Sequence, residues 1–336
     1  MYDIITFGAA TRDIFVRSDA FEVHESGGPM GHFEGCFPLG AKIDIKEMAF
    51  ETGGGGTNAA ATFGRLGWKS AVVCAVGDDS VARDIAEAMK KDDVTSALFQ
   101  RDPRERTGVS VIILAGSGER TILNYRGASS EIKANRIPWP KVRAKWFYCS
   151  SLGGNLGLLK KILVQAKRVG AKVAWNPGNK ELAHGLEKLI PLIRQVDIFN
   201  LNKEEAAALT GHSSDNLTGI IAKIRAFPRR ALIVTDGQKG TYAAEGDATW
   251  HSGIVDVPRR NTTGAGDAFG SGFVAGLLKS AKGGSASGGK DDLRYALAVG
   301  TWNATGVVQH MGAKVGLLRR YPTAKQVGQV KIERLD

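Results

Sequence analysis

One stretch of this chain holds residue types that can move a proton beside an anion. It reads Asn261-Thr262-Thr263-Gly264-Ala265-Gly266-Asp267-Ala268-Phe269. Gly264, Ala265 and Gly266 open a run whose apolar residues include Phe269, Phe273, Val274 and Leu277, which predicts a helix over 264–280. Two glycines around an alanine let the backbone curl so that successive N–H groups aim at one point. The positive end of the helix adds to the attraction for an anion. Asp267 falls in the first turn of that helix, beside the hole. A carboxylate there repels what the hole attracts, which makes sense if it takes a proton from an attacking hydroxyl. The residues alone leave base and helix cap as equal readings.

Three further stretches could bind ligands. Gly53-Gly54-Gly55-Gly56-Thr57-Asn58 stands before a helix of small residues, 57–66. Its main-chain N–H groups and the two-way amide of Asn58 suit a polyol, although a flexible turn capped by Asn58 is the simpler reading. Asn202-Lys203-Glu204-Glu205 ends an apolar strand. Asn and Glu three apart can share water bound to a magnesium ion, and they equally spell a capping box. Thr235-Asp236-Gly237-Gln238-Lys239-Gly240 follows another apolar strand, where parallel sheets place ligands. It is not a GxxxxGK[ST] loop, and no GxGxxG follows the first strand, which argues against a dinucleotide-binding oxidoreductase.

The elements that must position these motifs alternate. Strands are predicted at 2–8, 71–77, 146–150, 172–178, 197–202 and 231–237, and helices at 80–91, 155–169, 203–210, 216–226 and 291–310. Apolar strands alternating with helices predict a parallel sheet covered on both faces. Residues 241–246 with 248–252, and 107–115 with 120–125 about a Gly-Ser-Gly turn at 116–118, read as hairpins. Alternation at 41–45 predicts a strand with one wet face. The Gly/Ser-rich segment 282–292 reads as a solvated loop.

Composition narrows the function classes. The 336 residues carry a net charge of +11, but Lys and Arg are scattered and no basic stripe alternates with aromatics, so no nucleic-acid partner is expected. Cys36, Cys74 and Cys149 form no CxxC pair and no disulfide framework. His24, His32 and Cys36 lack the second ligand pair of a metal site. With no leader-like N-terminus and no run of ~18 apolar residues, a cytoplasmic protein without a membrane span is expected.

Taken in order, the motifs resemble the PfkB family of carbohydrate and nucleoside kinases. GGGGTNAA (53–60), continued by Gly64, Gly67 and Val76-Gly77-Asp78-Asp79, is similar to the family's N-terminal motif. Thr262 to Phe269 is similar to its more specific C-terminal motif, NKEE (202–205) to its NxxE and TDGQKG (235–240) to its nucleotide-binding turn. The resemblance runs from the first strand to GAKVGLL (312–318). It implies a ribokinase-like three-layer α/β/α domain over 1–336 with a central, mostly parallel sheet, and a small β lid built from about 14–51 and 105–127. It implies an ATP-dependent kinase of a small sugar or sugar acid, with Asp267 as base and Gly264, Ala265 and Gly266 as the hole for the transferring phosphoryl group. Asp13, Gly53, Gly54 and Asn58 would bind the acceptor. Asn202, Thr235, Gly237, Gly240 and Asn303 would bind the nucleotide, and Glu205 would hold Mg²⁺ through water. A homodimer through the lid is a further implication.

Departures from the family pattern bear on cofactors and acceptor. Asn261 stands where many members have an Asp that helps hold a monovalent cation, which puts potassium dependence in question. GGGG replaces the GGKGAN of ribokinases, and VVQHMGA (307–313) is as similar to adenosine kinases as to sugar kinases. A nucleoside kinase, with Phe21, Phe33 and Phe37 stacking on a base, is the alternative. A sugar-phosphate kinase, using Arg12, Lys42 or Arg126, is a third reading, and a non-catalytic sensor on the same fold a fourth.

Overall fold

The computed structural model describes residues 1–26, 32–114, 120–282 and 290–336. Its strands are β1 (Tyr2–Phe7), β2 (Thr11–Arg17), β3 (Glu22–Ser26), β4 (His32–Cys36), β5 (Glu47–Gly53), β6 (Ser70–Val73), β7 (Ala75–Gly77), β8 (Val94–Thr95), β9 (Gln100–Asp102), β10 (Gly108–Leu114), β11 (Arg120–Tyr125), β12 (Ala144–Cys149), β13 (Lys172–Trp175), β14 (Ile198–Asn202), β15 (Ala231–Thr235), β16 (Thr241–Glu245), β17 (Ala248–Ser252) and β18 (Ile332–Arg334). Its helices are α1 (Gly55–Arg65), α2 (Ser80–Lys91), α3 (Leu156–Val169), α4 (Asn179–Leu182), α5 (Leu186–Ile193), α6 (Lys203–Thr210), α7 (Leu217–Ile224), α8 (Ala265–Lys282), α9 (Lys290–Val308) and α10 (Ala324–Gln329).

A ten-stranded sheet forms the middle layer, in the order β18-β17-β16-β15-β14-β13-β12-β1-β6-β8. From β8 to β15 neighbouring strands run parallel, and β16, β17 and β18 add an antiparallel edge. Side chains alternate between its faces. Phe147, Leu232 and Val234 pack beneath α3, α5, α6 and α7, whereas Trp146, Tyr148 and Ile233 pack against α1, α8 and α9. This is the expected three-layer α/β/α arrangement. Where α8 crosses α9 the contact is tight: a Cβ on Gly276 would lie 2.6 Å from Ala296 Cα, so only glycine fits.

A second sheet, ordered β11-β10-β2-β5, is built from the two segments expected to form a lid, and its β2 follows the carboxyl end of β1. β10 and β11 form the expected hairpin, although its turn at 116–118 lies outside the described residues. The strand expected at 41–45 is absent. The chain there is irregular, and the strand starts at Glu47 because β5 takes its register from β2, pairing Arg17 with Glu47 through to Thr11 with Gly53. Cross-strand pairing overrides local alternation here. Most of the expected loop 282–292 also lies outside the described residues. No helix among the described residues is long and apolar enough to cross a membrane.

The loop after β12, which runs beneath the lid, is fixed by one buried carboxylate. Glu181 is 1% exposed. It accepts hydrogen bonds from the N–H groups of Leu152 (2.6 Å), Gly154 (2.8 Å) and Gly178 (2.9 Å) and from Ser151 Oγ (3.1 Å). Glu181→Ala leaves these donors buried without an acceptor. It is expected to lower stability by about 3 kcal/mol, read as a lower urea midpoint.

Candidate active site

Two of the four motifs lie at the carboxyl ends of parallel strands, and the glycine loop after β5 meets the start of α8 beside Ser150, which follows a third such strand. β1 ends before Gly8 beside β12, which ends before Ser150, and β14 ends at Asn202 beside β15, which ends at Thr235, with β13 between the two pairs. Onto these strand ends point the first turns of α1 and α8. Gly54 precedes α1 with φ 92° because a side chain there would overlap the carbonyl of Ala9. Gly264 precedes α8 with φ 80°, pressed against Ala313.

The two helix starts are joined by one side-chain contact. Asn58 Nδ2 donates to Asp267 Oδ2 at 2.9 Å, across 209 positions of sequence. The half-buried Asp267 carboxyl is raised above its ordinary pKa by burial, while the Asn58 hydrogen bond and the charge of Lys314 pull it back down. Asn58 Oδ1 is buried and has no partner among the described residues, so it is left to accept a hydrogen bond from a ligand. Asp13 completes this half of the site. It is 7% exposed and accepts from Thr11 Oγ1 at 3.1 Å. Its carboxylate lies so close over Gly53 that any side chain there would collide with it. Burial raises the Asp13 pKa, against hydrogen bonds from Thr11 and Ser110 and the charge of Lys314.

On the far side of Asp267 lies a cavity of about 370 Å³. Asn202, Thr235, Gly237 and Gly240, the residues the sequence assigns to the nucleotide, line it, and so do Ala265 and Gly266. A Cβ on Gly266 would meet open space. One of the three amides expected in the anion hole has a protein partner: Ala265 N–H donates to Thr262 O at 3.2 Å. Asn202 and Glu205 form the capping box that starts α6, with Asn202 N–H on Glu205 Oε2 at 2.9 Å and Glu205 N–H on Asn202 Oδ1 at 2.7 Å. Asn202 nevertheless reaches the cavity wall, and Glu204 joins it there. Lys203 and Asp236 tie α6 to the turn after β15 at 2.8 Å.

Asn303 does not reach this cavity. It is wholly buried and donates to Thr62 Oγ1 (3.0 Å) and Ala268 O (2.7 Å), and it accepts from Leu318 N–H (2.9 Å). It therefore holds α9 to α1 and α8. The α9 residues at the cavity are Thr301, Ala304, Thr305 and Val308. Their i, i+3, i+4, i+7 spacing is present in the sequence, but a stripe of small residues reads there as packing. Ile254, Val255 and Arg259, after β17, also line the cavity without any motif to announce them. The described residues hold no group of three His, Cys, Asp or Glu side chains able to bind a metal.

A buried amide–carboxylate contact at two helix starts, with a cavity beside it, is an arrangement that can serve group transfer. Residues 34–319 match the profile of the pfkB family of carbohydrate kinases, and the chain belongs to that family. It is an ATP-dependent phosphotransferase acting on an alcohol group of a sugar. It is 29% identical over 240 residues to a fructokinase of Klebsiella pneumoniae, covering 67% of this chain and 76% of that one. It is 26% identical over 300 residues to a ribokinase of Staphylococcus aureus, covering 87% and 92%. Among solved structures, ribokinase from Giardia lamblia superposes with a TM-score of 0.78 at 20% identity, covering 98% and 99%. Arabidopsis thaliana ribokinase, complexed with ribose and ATP, superposes with a TM-score of 0.74 at 22% identity, covering 98% of each chain.

The glycines at 53–56 leave no slack beside Asp267. A Cβ on Gly55 would sit 2.8 Å from Ser150 Oγ and 3.3 Å from Asp267 Oδ1. Gly55→Ala is expected to shift that carboxylate and lower kcat/KM by ~10²-fold, with the circular dichroism spectrum unchanged.

Proposed function

We propose that this enzyme phosphorylates a hydroxyl of a small neutral sugar, with Asp267 as general base. The observation that carries this reading is the placement of Asp267, bonded to Asn58 on the acceptor side and one residue from the open Gly266 on the cavity side. Asp13, Asn58 and the Gly53-Gly54 backbone would hold the sugar, and the free Asn58 Oδ1 suits a hydroxyl donor. Thr235, Gly237, Gly240 and the α9 stripe would take the nucleotide. Asp267 would accept the hydroxyl proton as the new O–P bond forms to the γ-phosphorus and the bond to ADP breaks. The N–H of Gly266 and the start of α8 would stabilise the transferring group.

Asn202, Glu204 and Glu205 offer the oxygen donors that Mg²⁺ prefers, and they would hold it through water. Bound there, the ion offsets phosphate charge. Asn261 is neutral, and its Oδ1 already accepts from Thr263 N–H at 2.8 Å, so a monovalent cation finds no carboxylate at that position.

The acceptor class follows from charge. Two carboxylates, Asp13 and Glu51, face each other in register on β2 and β5, which disfavours a phosphate or a sugar acid. Arg12 is turned to Asp84 (3.7 Å) and the Phe50 ring instead. Phe21 and Phe37 pack edge to face on each other, 6.5 Å apart, which argues against their stacking on a nucleoside base. Fructokinases and ribokinases among the relatives support a neutral sugar. Phe50 and Leu123, register-aligned with Ile14 and Val111 across the lid and more than half exposed, support a homodimer through that sheet.

Two measurements test the base. Asp267→Asn should leave ATP binding by calorimetry nearly intact and cut turnover ~10²-fold or more; near-normal ADP release from ATP plus ribose or fructose would remove Asp267 from the role. Asn58→Ala deletes a hydrogen bond that lowers the Asp267 pKa. Because only the ionised carboxylate accepts a proton, the acid limb of kcat should move to higher pH in this variant. A limb that stays put or moves to lower pH would contradict the assignment.

A further inference from the structure

Lys314 is 3% exposed and lies at the base of the lid, two residues past the Gly312 that abuts Glu51. Its Nζ donates to Thr52 Oγ1 at 2.6 Å and to Thr57 Oγ1 at 3.2 Å. Thr52 belongs to lid strand β5 and Thr57 to the first turn of α1, so one ammonium grips both ends of the glycine loop. Thr57 Oγ1 in turn donates to Gly53 O at 2.6 Å, and Arg65 Nη1 anchors Lys314 O at 2.7 Å. Among the described residues no carboxylate oxygen approaches Lys314 Nζ within ion-pair distance, although five acidic groups act on it or feel it.

Those groups come from every element around it. They are Asp13 on β2, Glu51 on β5, Asp92 after α2, Asp267 on α8 and the thiol of Cys74 between β6 and β7, with the Arg65 guanidinium of α1 opposing. A buried ammonium held by hydroxyls alone is costly to keep unless its charge serves the carboxylates around it. We propose that Lys314 is a positioning residue for the sugar acceptor: it clamps the lid strand to the acceptor loop and supplies the positive charge that lets Asp13 and Glu51 remain ionised side by side. This rests on reading the Asp13 and Asn58 pocket as the acceptor site.

Burial pulls the Lys314 pKa down to about 7, with Asp92 and Asp13 raising it in opposition. The clamp is therefore charged below neutral pH and loses its proton as pH rises past that value. Acceptor affinity should weaken across the same window.

The test uses the full-length enzyme with ribose and fructose as acceptors. For wild type, kcat/KM for the acceptor is expected to fall above pH 7, with the KM for ATP unchanged. Lys314→Met should raise acceptor KM about 10-fold, as for a lost charge-assisted hydrogen bond, and abolish that alkaline limb. Thr52→Val cuts only the tie to the lid strand and should raise acceptor KM while the limb persists. Parental KM and pH profile in a folded Lys314→Met enzyme would overturn the clamp. Should that variant not fold, ¹³C NMR of Cε-labelled lysine, assigned through Lys314→Arg, decides. A midpoint near 7 that drops in Asp13→Asn and in Glu51→Gln supports the proposal, and an unperturbed midpoint or one indifferent to both overturns it. The titration needs no turnover, so it stays readable even if neither sugar releases ADP and the acceptor assignment itself falls.

Discussion

The site depends on keeping one carboxylate fixed at the meeting point of two helix starts. Asn58 on α1 and Asp267 on α8 are distant in sequence, and their hydrogen bond is only as good as the packing of the two helices. That packing is polar at its centre. Ser271 Oγ donates to Asp267 O at 2.6 Å and lies within hydrogen-bond distance of Thr62 Oγ1 at 2.8 Å, and Asn303 closes the group from α9. Buried hydroxyls and amides have satisfying geometry in few arrangements, so such a group specifies the crossing more narrowly than apolar contact would. Glycine and alanine along α8 and α9 let the backbones approach until these short side chains can reach.

Much of this was legible from residue order, and the exceptions share a cause. The strand–helix alternation, the glycines that open α8 and the turn after β15 are local patterns set by backbone and burial, and the last two meet at the cavity. Asn303 was misjudged because an Asn on an apolar helix tells nothing of which face it occupies. It proved to be a packing group, while its smaller neighbours Thr301, Ala304 and Thr305 face the cavity. The strand expected at 41–45 failed because lid pairing is decided by β2, a partner some thirty residues away. Lys314 gave no signal at all. A lone Lys after Gly-Ala reads as solvated, and only the tertiary fold buries it.

Both halves of the site use glycine for contact rather than for flexibility. Gly53 admits the Asp13 carboxylate, Gly55 admits Ser150 and Asp267, and Gly266 leaves room on the cavity side. At these positions a side chain would displace Asp13, Ser150 or Asp267 or fill the cavity side of α8. The second sheet carries Asp13 and Glu51 in register on β2 and β5, and in the acceptor site proposed here these carboxylates would line the side opposite the parallel strands.

The electrostatics of Asp267 bear on the base role proposed for it, because such a carboxylate must stay both ionised and able to take a proton. A direct ion pair would hold it ionised but would also lower its affinity for the proton it must take. Among the described residues Asp267 forms no such pair. Burial pushes its pKa up, one amide donor moderates the shift, and the Lys314 charge acts from beyond contact. Ser271 donates to its main-chain oxygen rather than to the carboxylate, which leaves Oδ1 unengaged by that hydroxyl. In the base role proposed for Asp267, a modest upward shift would strengthen the group as a proton acceptor, whereas a carboxylate raised too far would already hold its own proton near neutral pH.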